Sequence, residues 1–234
     1  MGKRDGVVAL TFDLFGTVLD LGTSLRQPID DFLHTTKADI STDIFWADWR
    51  TRQRLEQYRD SLMMLGHSGY LATVRRAMVY VAESHGVGAS EGDYEGLMSA
   101  WWQLSAFPEA VAALERMKAD FRLVVLSNGD PEFLEFLVEN RVGFAFDDIF
   151  SVTSVGAFKP HPSVYRGAAL QLRLEMNQCL MVSSNSFDVI GARACGMRAA
   201  YVNRYQLPLE PSPFTPDIVA PDFTDLADQL LTGA

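Results

Sequence analysis

Apolar residues recur along the chain in two rhythms. Unbroken runs stand at residues 6–12 (GVVALTF), 121–126 (FRLVVL) and 178–182 (QCLMV). Continuous rather than alternating runs predict strands buried on both faces, as in a parallel sheet. Each run exits into polar residues: Asp13, then Ser127-Asn128-Gly129-Asp130, then SSNSFD from Ser183 to Asp188. Short strands are also predicted at 149–152 and 199–202. Helices are predicted between them, over 108–119, where Val111, Leu114 and Met117 share a face, and over 131–140, 163–172 and 188–195. Strands alternating with helices predict an α/β fold with a doubly wound parallel sheet, a Rossmann-like core. Ligands of such sheets bind beyond the carboxyl ends of the strands, where the polar exits would gather.

The segment 21–105 breaks this alternation. It reads as helical almost throughout, with Phe45, Trp46 and Trp49, then Leu55, Tyr58 and Leu62, then Val74, Met78 and Val81, and it is too long for a loop. The expected organisation is a core of residues 1–20 and 106–234, with a helical cap subdomain, 21–105, inserted after the first strand. A cap there would lie over the strand ends and exclude water. Gly66 and Gly69 predict a bend beside Tyr70, which is a candidate to line the pocket. Trp101, Trp102 and Phe107 are expected to pack the hinge or core, because aromatic rings dominate buried area.

Composition narrows the function classes. The 234 residues are 48% hydrophobic and 21% charged, which suits a soluble globular protein and argues against disorder. A net charge of −10 argues against a nucleic-acid surface, which needs clustered Lys and Arg. No window approaches the roughly 20 apolar residues of a membrane span, and the start lacks a leader-like pattern, so a cytoplasmic location is expected. Cys179 and Cys195, the two cysteines, stand in apolar surroundings and read as small buried hydrophobes. The histidines lack metal-ligand spacing, and His161 in KPHP reads as a turn residue. No metal and no cofactor are expected.

Taken alone, Asp13 in FDLFGT reads either as a catalytic carboxylate at a strand tip or as a helix N-cap. The chain resembles the haloacid dehalogenase superfamily through four segments in order: Asp13 to Thr17, Ser127-Asn128-Gly129, Lys159-Pro160 with Tyr165, and SSNSFD. Phosphatases of that superfamily carry a second Asp two residues after the nucleophile and an acidic pair for magnesium in the fourth segment. Here those places hold Phe15 and, beside the single carboxylate Asp188, Ser183 and Asn185. Both absences suit a halide, which leaves as an anion without a proton, from a substrate without a phosphoryl group.

The closer resemblance is to the (S)-2-haloacid dehalogenases, in which the residue at the place of Phe15 is usually Tyr. It implies that Asp13 attacks C2 of a 2-haloalkanoic acid and that water then hydrolyses the resulting ester. It implies further that Lys159 stabilises charge beside Asp13, that Asp188 is base or orienter for the water, and that Ser183 and Asn185 fix both. Ser127 and the backbone amides of Leu14 and Phe15 would bind the substrate carboxylate, with Thr17 and Tyr165 organising the site. Halide would be met by Arg50 of the WRTRQ segment, with Asn128 and Phe187. Helical periodicity alone leaves Arg52 and Arg54 as alternatives to Arg50, and a charged face of this kind is often merely solvated. The small-molecule haloacid is the expected partner, without nucleic acid or membrane, and a homodimer is the family habit. A magnesium-dependent phosphatase and a non-catalytic binding relative are the rival readings.

Overall fold

The computed structural model describes residues 6–232; the assignment of residues 1–5 and 233–234 to the core falls outside them. Strand β1 (Ala9–Phe12) and a tight turn lead into β2 (Leu19–Asp20). Four helices follow: α1 (Leu21–Thr35), α2 (Thr42–Leu62), α3 (Tyr70–Ser84) and α4 (Glu91–Ser99), and the chain returns through β3 (Ser105–Ala106). The remainder alternates: α5 (Ala110–Met117), β4 (Arg122–Ser127), α6 (Pro131–Leu137), β5 (Asp148–Ser151), α7 (Pro162–Leu172), β6 (Cys179–Ser183), α8 (Ser186–Ala194), β7 (Arg198–Val202), β8 (Ile218–Ala220) and α9 (Phe223–Thr232).

The main sheet has the order β5-β4-β1-β6-β7-β8 and every pairing in it is parallel. All four residues of β1 are buried, as the continuous apolar run predicts, with Leu10 and Phe12 in one core cluster and Ala9 in the other. The chain builds outward from β1 through β4 to β5 and then crosses back to β6. That reversal puts the carboxyl ends of β1, β4 and β6 side by side at the switch point of the sheet, where a crevice opens.

The predicted strands and helices are all present, with ends shifted by a few residues; the helix expected over 131–140 ends at Leu137 and continues as a wider turn, Val138–Val142. Strand β8 and helix α9 have no counterpart in the sequence reading. Asp13 is not a helix N-cap, because the chain turns back at Gly16, whose φ of +83° suits glycine, and α1 is capped by Asp20, which accepts from the Thr23 amide.

The helical insert is tied to the sheet at both ends. Its two linkers pair as the antiparallel strands β2 and β3, and the Phe107 amide donates to the Val18 carbonyl at 2.9 Å. Arg204, beyond β7, clamps both linkers: it pairs with Glu109, donates to the Thr17 carbonyl at 3.3 Å and lies 3.7 Å above the Phe107 ring. Helix α3 has no capping side chain of its own. Asp130, from the loop after β4, accepts instead from the amides of Tyr70 at 3.0 Å and Leu71 at 3.4 Å.

Candidate active site

The three polar exits converge. Three donors reach the Asp13 carboxylate: Lys159 Nζ on Oδ1 at 3.0 Å, and Thr17 Oγ1 at 2.8 Å and Asn185 Nδ2 at 2.9 Å on Oδ2. Both lone-pair sites of Oδ2 are thereby engaged, while Oδ1 keeps one free. Thr17 is itself fixed, its hydroxyl accepting from the Ser184 amide at 2.9 Å, and the Asn185 amide donates to Ser183 Oγ at 3.1 Å. Among the described residues the backbone amides of Leu14 and Phe15 find no hydrogen-bond acceptor, which leaves an anion-accepting pair next to Asp13.

Lys159, fully buried, bridges two carboxylates. Its ammonium donates to Asp13, to Asp188 Oδ2 at 2.7 Å and to the Leu126 carbonyl at 2.9 Å, which uses all three of its protons. Burial pulls its pKa down, and the two carboxylates, Asp13 first, outweigh that and hold it above the ordinary lysine value. Burial raises Asp188, with Lys159 opposing. Asp188 also accepts from the Tyr165 hydroxyl at 2.7 Å, and the phenol is pushed far up by burial and by Asp188, so it stays a neutral donor. Gly191 makes room for this pair, since a Cβ there would stand 2.7 Å from Tyr165 Oη and from the Pro160 ring.

Above Asp13 lies a small cavity whose floor and sides are Asp13, Phe15, Asn128, Lys159, Asn185 and Phe187. Its roof comes from the insert: Arg50, Gln53, Arg54 and Gln57 of α2, with Tyr70 of α3. These α2 residues stand at i, i+3, i+4 and i+7, one face of the helix. Arg52 is not on that face; it pairs with Glu56 at 2.5 Å and stacks 3.7 Å over Tyr80. Of the three arginines left open by periodicity, the cavity therefore holds Arg50 and Arg54. Arg50 donates to Gln53 Oε1 at 2.5 Å.

Thr17, Tyr165 and Asp188 sit behind the wall and connect to it through Asp13 and Lys159, and Ser183 connects to it through Asn185. Ser127 closes β4 fully buried, where its Oγ accepts from the Gly129 amide at 3.4 Å, and the cavity wall does not include it. Leu14 packs its side chain in the core. Phe15 is stacked on Tyr70 with ring centres 4.1 Å apart and on Phe133 at 5.8 Å, with the buried Trp101 edge-on at 6.3 Å. Trp101 and Trp102 are packing residues as expected, and Tyr70 lines the pocket as proposed from the glycine bend.

Gln57, Thr73 and His67, which meet the motif residue Asn128 or one another here, carried no signal in the motifs. Asn128 accepts from the Lys159 amide at 2.8 Å and donates to Gln57 Oε1 at 3.3 Å, and Gln57 reaches Thr73 at 3.3 Å. His67 Nε2 lies 2.9 Å from the Asn128 carbonyl, so it carries the proton, while Nδ1 accepts from the Gly69 amide at 3.3 Å. His161, read as a turn residue, starts α7 by accepting from the Ser163 amide. Among the described residues no group of three or more His, Cys, Asp or Glu is placed to hold a metal ion.

The site is thus a lysine set between two carboxylates at the switch point of a parallel α/β sheet. The haloacid dehalogenase-like hydrolase family model matches residues 7–196, and the chain belongs to that family. It is similar to (S)-2-haloacid dehalogenase 1 of Pseudomonas sp. (strain CBS-3), 32% identical over 88% of each chain. It is also similar to (S)-2-haloacid dehalogenase H-109 of Pseudomonas putida, 30% identical over 96% of this chain and 98% of that one. A solved L-2-haloacid dehalogenase from Xanthobacter autotrophicus, with chloropropionic acid covalently bound, superposes with a TM-score of 0.81 at 25% identity, covering 97% of this chain and all (100%) of that one.

Proposed function

We propose that this hydrolase removes halide from short (S)-2-haloalkanoic acids and yields (R)-2-hydroxy acids through an ester on Asp13. The observation that carries the reading is the fixed Asp13 carboxylate with Phe15 two residues on, a phenyl ring with no proton to give, locked in an aromatic stack. Halide departs as an anion and needs no acid, whereas an alkoxide leaving from a phosphate ester does. The relatives named (S)-2-haloacid dehalogenase and the covalently bound chloropropionic acid of the Xanthobacter protein support the same choice.

Asp13 Oδ1, with its free lone pair, attacks C2, and the carbon–halogen electron pair leaves with the halide. Inversion at C2 turns the (S)-acid into the (R)-ester. Water then adds to the Asp13 carboxyl carbon, the bond from that carbon to Oδ1 breaks, one water proton leaves on Oδ1 with the hydroxy acid, the other passes to solvent, and the water oxygen stays in the Asp13 carboxylate. The amides of Leu14 and Phe15 receive the substrate carboxylate, and Ser127, buried off the cavity wall, supports the loop after β4 through the Gly129 amide; Arg50, Asn128 and Phe187 meet the halide. Asp188, with both oxygens engaged and no place on the cavity wall, suits the orienting role through Lys159 better than that of a base touching water. Ser183, Asn185, Thr17 and Tyr165 hold these groups in register. The Lys159 ammonium supplies the positive charge between the carboxylates, and turnover is taken to need no metal.

Residues 21–105 act as a cap over the core formed by the rest of the chain. The chain is taken as a cytoplasmic homodimer. The thiols are unpaired, and Leu62, Met63, Met64 and Leu65 form a contiguous exposed apolar stretch at the end of α2 that suits a partner copy. Among the described residues no helix is long and apolar enough to cross a membrane.

Halide release from (S)-2-chloropropanoate, measured with excess EDTA for the wild type and Asp13→Asn, tests the function. Release that survives the chelator and vanishes in the variant is expected. Absence of release from the wild type, together with magnesium-dependent phosphate release from phosphate esters, would replace this reading by the phosphatase one.

A further inference from the structure

Arg54 is the feature of the cavity that removal of halide from a simple monoacid leaves unused. Its guanidinium lines the cavity beside Arg50, yet among the described residues it makes no hydrogen bond and no ion pair. The carboxylate whose charge it feels, Glu210, is not within ion-pair distance and instead accepts from Ser186 Oγ. Burial lowers the Arg54 pKa and repulsion from Arg50 lowers it further, while Tyr58 and Glu210 act the other way. Gln53 Oε1 is taken by Arg50 and Gln57 Oε1 by Asn128, so among the described residues neither carboxamide oxygen of this face turns to Arg54.

A 2-halomonocarboxylic acid brings one carboxylate, which the Leu14 and Phe15 amides receive, and one halide, which Arg50 meets. Nothing in it reaches for Arg54. Arg54 stands one turn along α2 from Arg50, about 6 Å along the axis, so a group bound there lies beyond the place of the halide.

We propose that the site takes 2-haloacids bearing a second carboxylate, of the short 2-halodicarboxylate class, with Arg54 binding the distal carboxylate. This rests on the dehalogenase reading and names its substrate class. The cavity is small, so the chain between the carboxylates is short. Arg54 determines specificity and does not touch the reacting atoms.

The test compares kcat/KM for (S)-2-chlorosuccinate and (S)-2-chloropropanoate in the wild type, Arg54→Leu and Arg54→Lys, by halide release. A charge-assisted contact of this kind is worth roughly 10-fold to 100-fold. The wild type is expected to favour the diacid by about that factor. The ratio is expected to collapse in Arg54→Leu, mainly through KM, and to recover in part in Arg54→Lys. An unchanged ratio, including a parallel loss on both substrates that would make Arg54 an aid to halide departure, overturns the assignment. If the wild type releases halide from neither acid, the dehalogenase reading itself fails. Release from the monoacid with no discrimination by residue 54 removes the diacid inference alone.

Discussion

Replacing Lys159 by Met removes a buried ammonium and keeps most of the side-chain volume. Asp188 is 0% exposed and Asp13 5%, and the ammonium bridges them at 2.7 and 3.0 Å. Without it, two carboxylates face each other in the interior with no counter-charge at hydrogen-bond distance. Breaking a buried pair by deleting one partner costs roughly 3–5 kcal/mol. In a chain of this size each kcal/mol moves Tm by about 2–4 °C, so the expected fall is roughly 6–20 °C. Burial, the largest influence on Asp188, is then unopposed by Lys159 and drives its carboxyl toward the protonated form. In the double variant Lys159→Met with Asp188→Asn one buried charge is gone, and about half the lost stability is expected to return. Activity does not return, because the charge at Asp13 is still absent. Urea unfolding followed by circular dichroism gives the stabilities, and halide release gives the activities. A single variant within about 1 kcal/mol of wild type would mean the triad is worth no more than an exposed ion pair, which would refute the reasoning.

Other expectations follow from the same geometry. Asp130→Ala removes the acceptor for the first turn of α3 and is expected to cost about 1 kcal/mol, with faster amide exchange at Tyr70 and Leu71 while that of β4 is unchanged. Gly191→Ala drives a methyl against Tyr165 Oη and the Pro160 ring and is expected to destabilise by roughly 1–3 kcal/mol; combining it with Tyr165→Phe recovers part of that loss in thermal melts. The Cys179 thiol is pushed up to about 11 by burial, so iodoacetamide at pH 8 is expected to leave it unlabelled in the native protein and to label it in denaturant, read by peptide mass spectrometry. Its folded pKa lies above the unfolded one, so the native state holds a proton that the unfolded chain gives up between about pH 9 and 11. The Cys179 contribution to stability therefore falls as pH rises through that window, and Cys179→Ala is expected to flatten the slope.

The core strands were legible because a strand buried on both faces has little choice but continuous apolar residues, and the polar residue ending each run marked the functional rim. Helix α2 carried a subtler signal. Its buried stripe begins with Phe45 and Trp49 and turns polar at Gln53, Glu56, Gln57 and Asp60, a pattern that places a site, or a buried ion network, under the helix. Periodicity put three arginines near one another and left the choice open, because two of them share a face and neighbours fix the third: Glu56 and Tyr80 hold Arg52 away. Helix α9 went unread although Phe223, Leu226, Ala227 and Leu230 stand at helical spacing behind Asp222, whose carboxylate accepts from the Asp225 amide. What no local pattern contains is the meeting of distant residues: Asp130 with α3, His67 with Asn128, and Arg204 with Thr17 and Glu109.

The borrowed cap of α3 bears on modularity. A helical insert whose third helix begins on a carboxylate of the sheet domain is not a self-sufficient cassette. Grafted into another host, residues 21–105 would arrive with the start of α3 unsatisfied unless the host offered an acidic residue at the place of Asp130. Lineages that exchange such inserts would then have to exchange the loop after β4 with them, so insert and loop form one unit of inheritance although some 60 residues of chain separate their contacting positions.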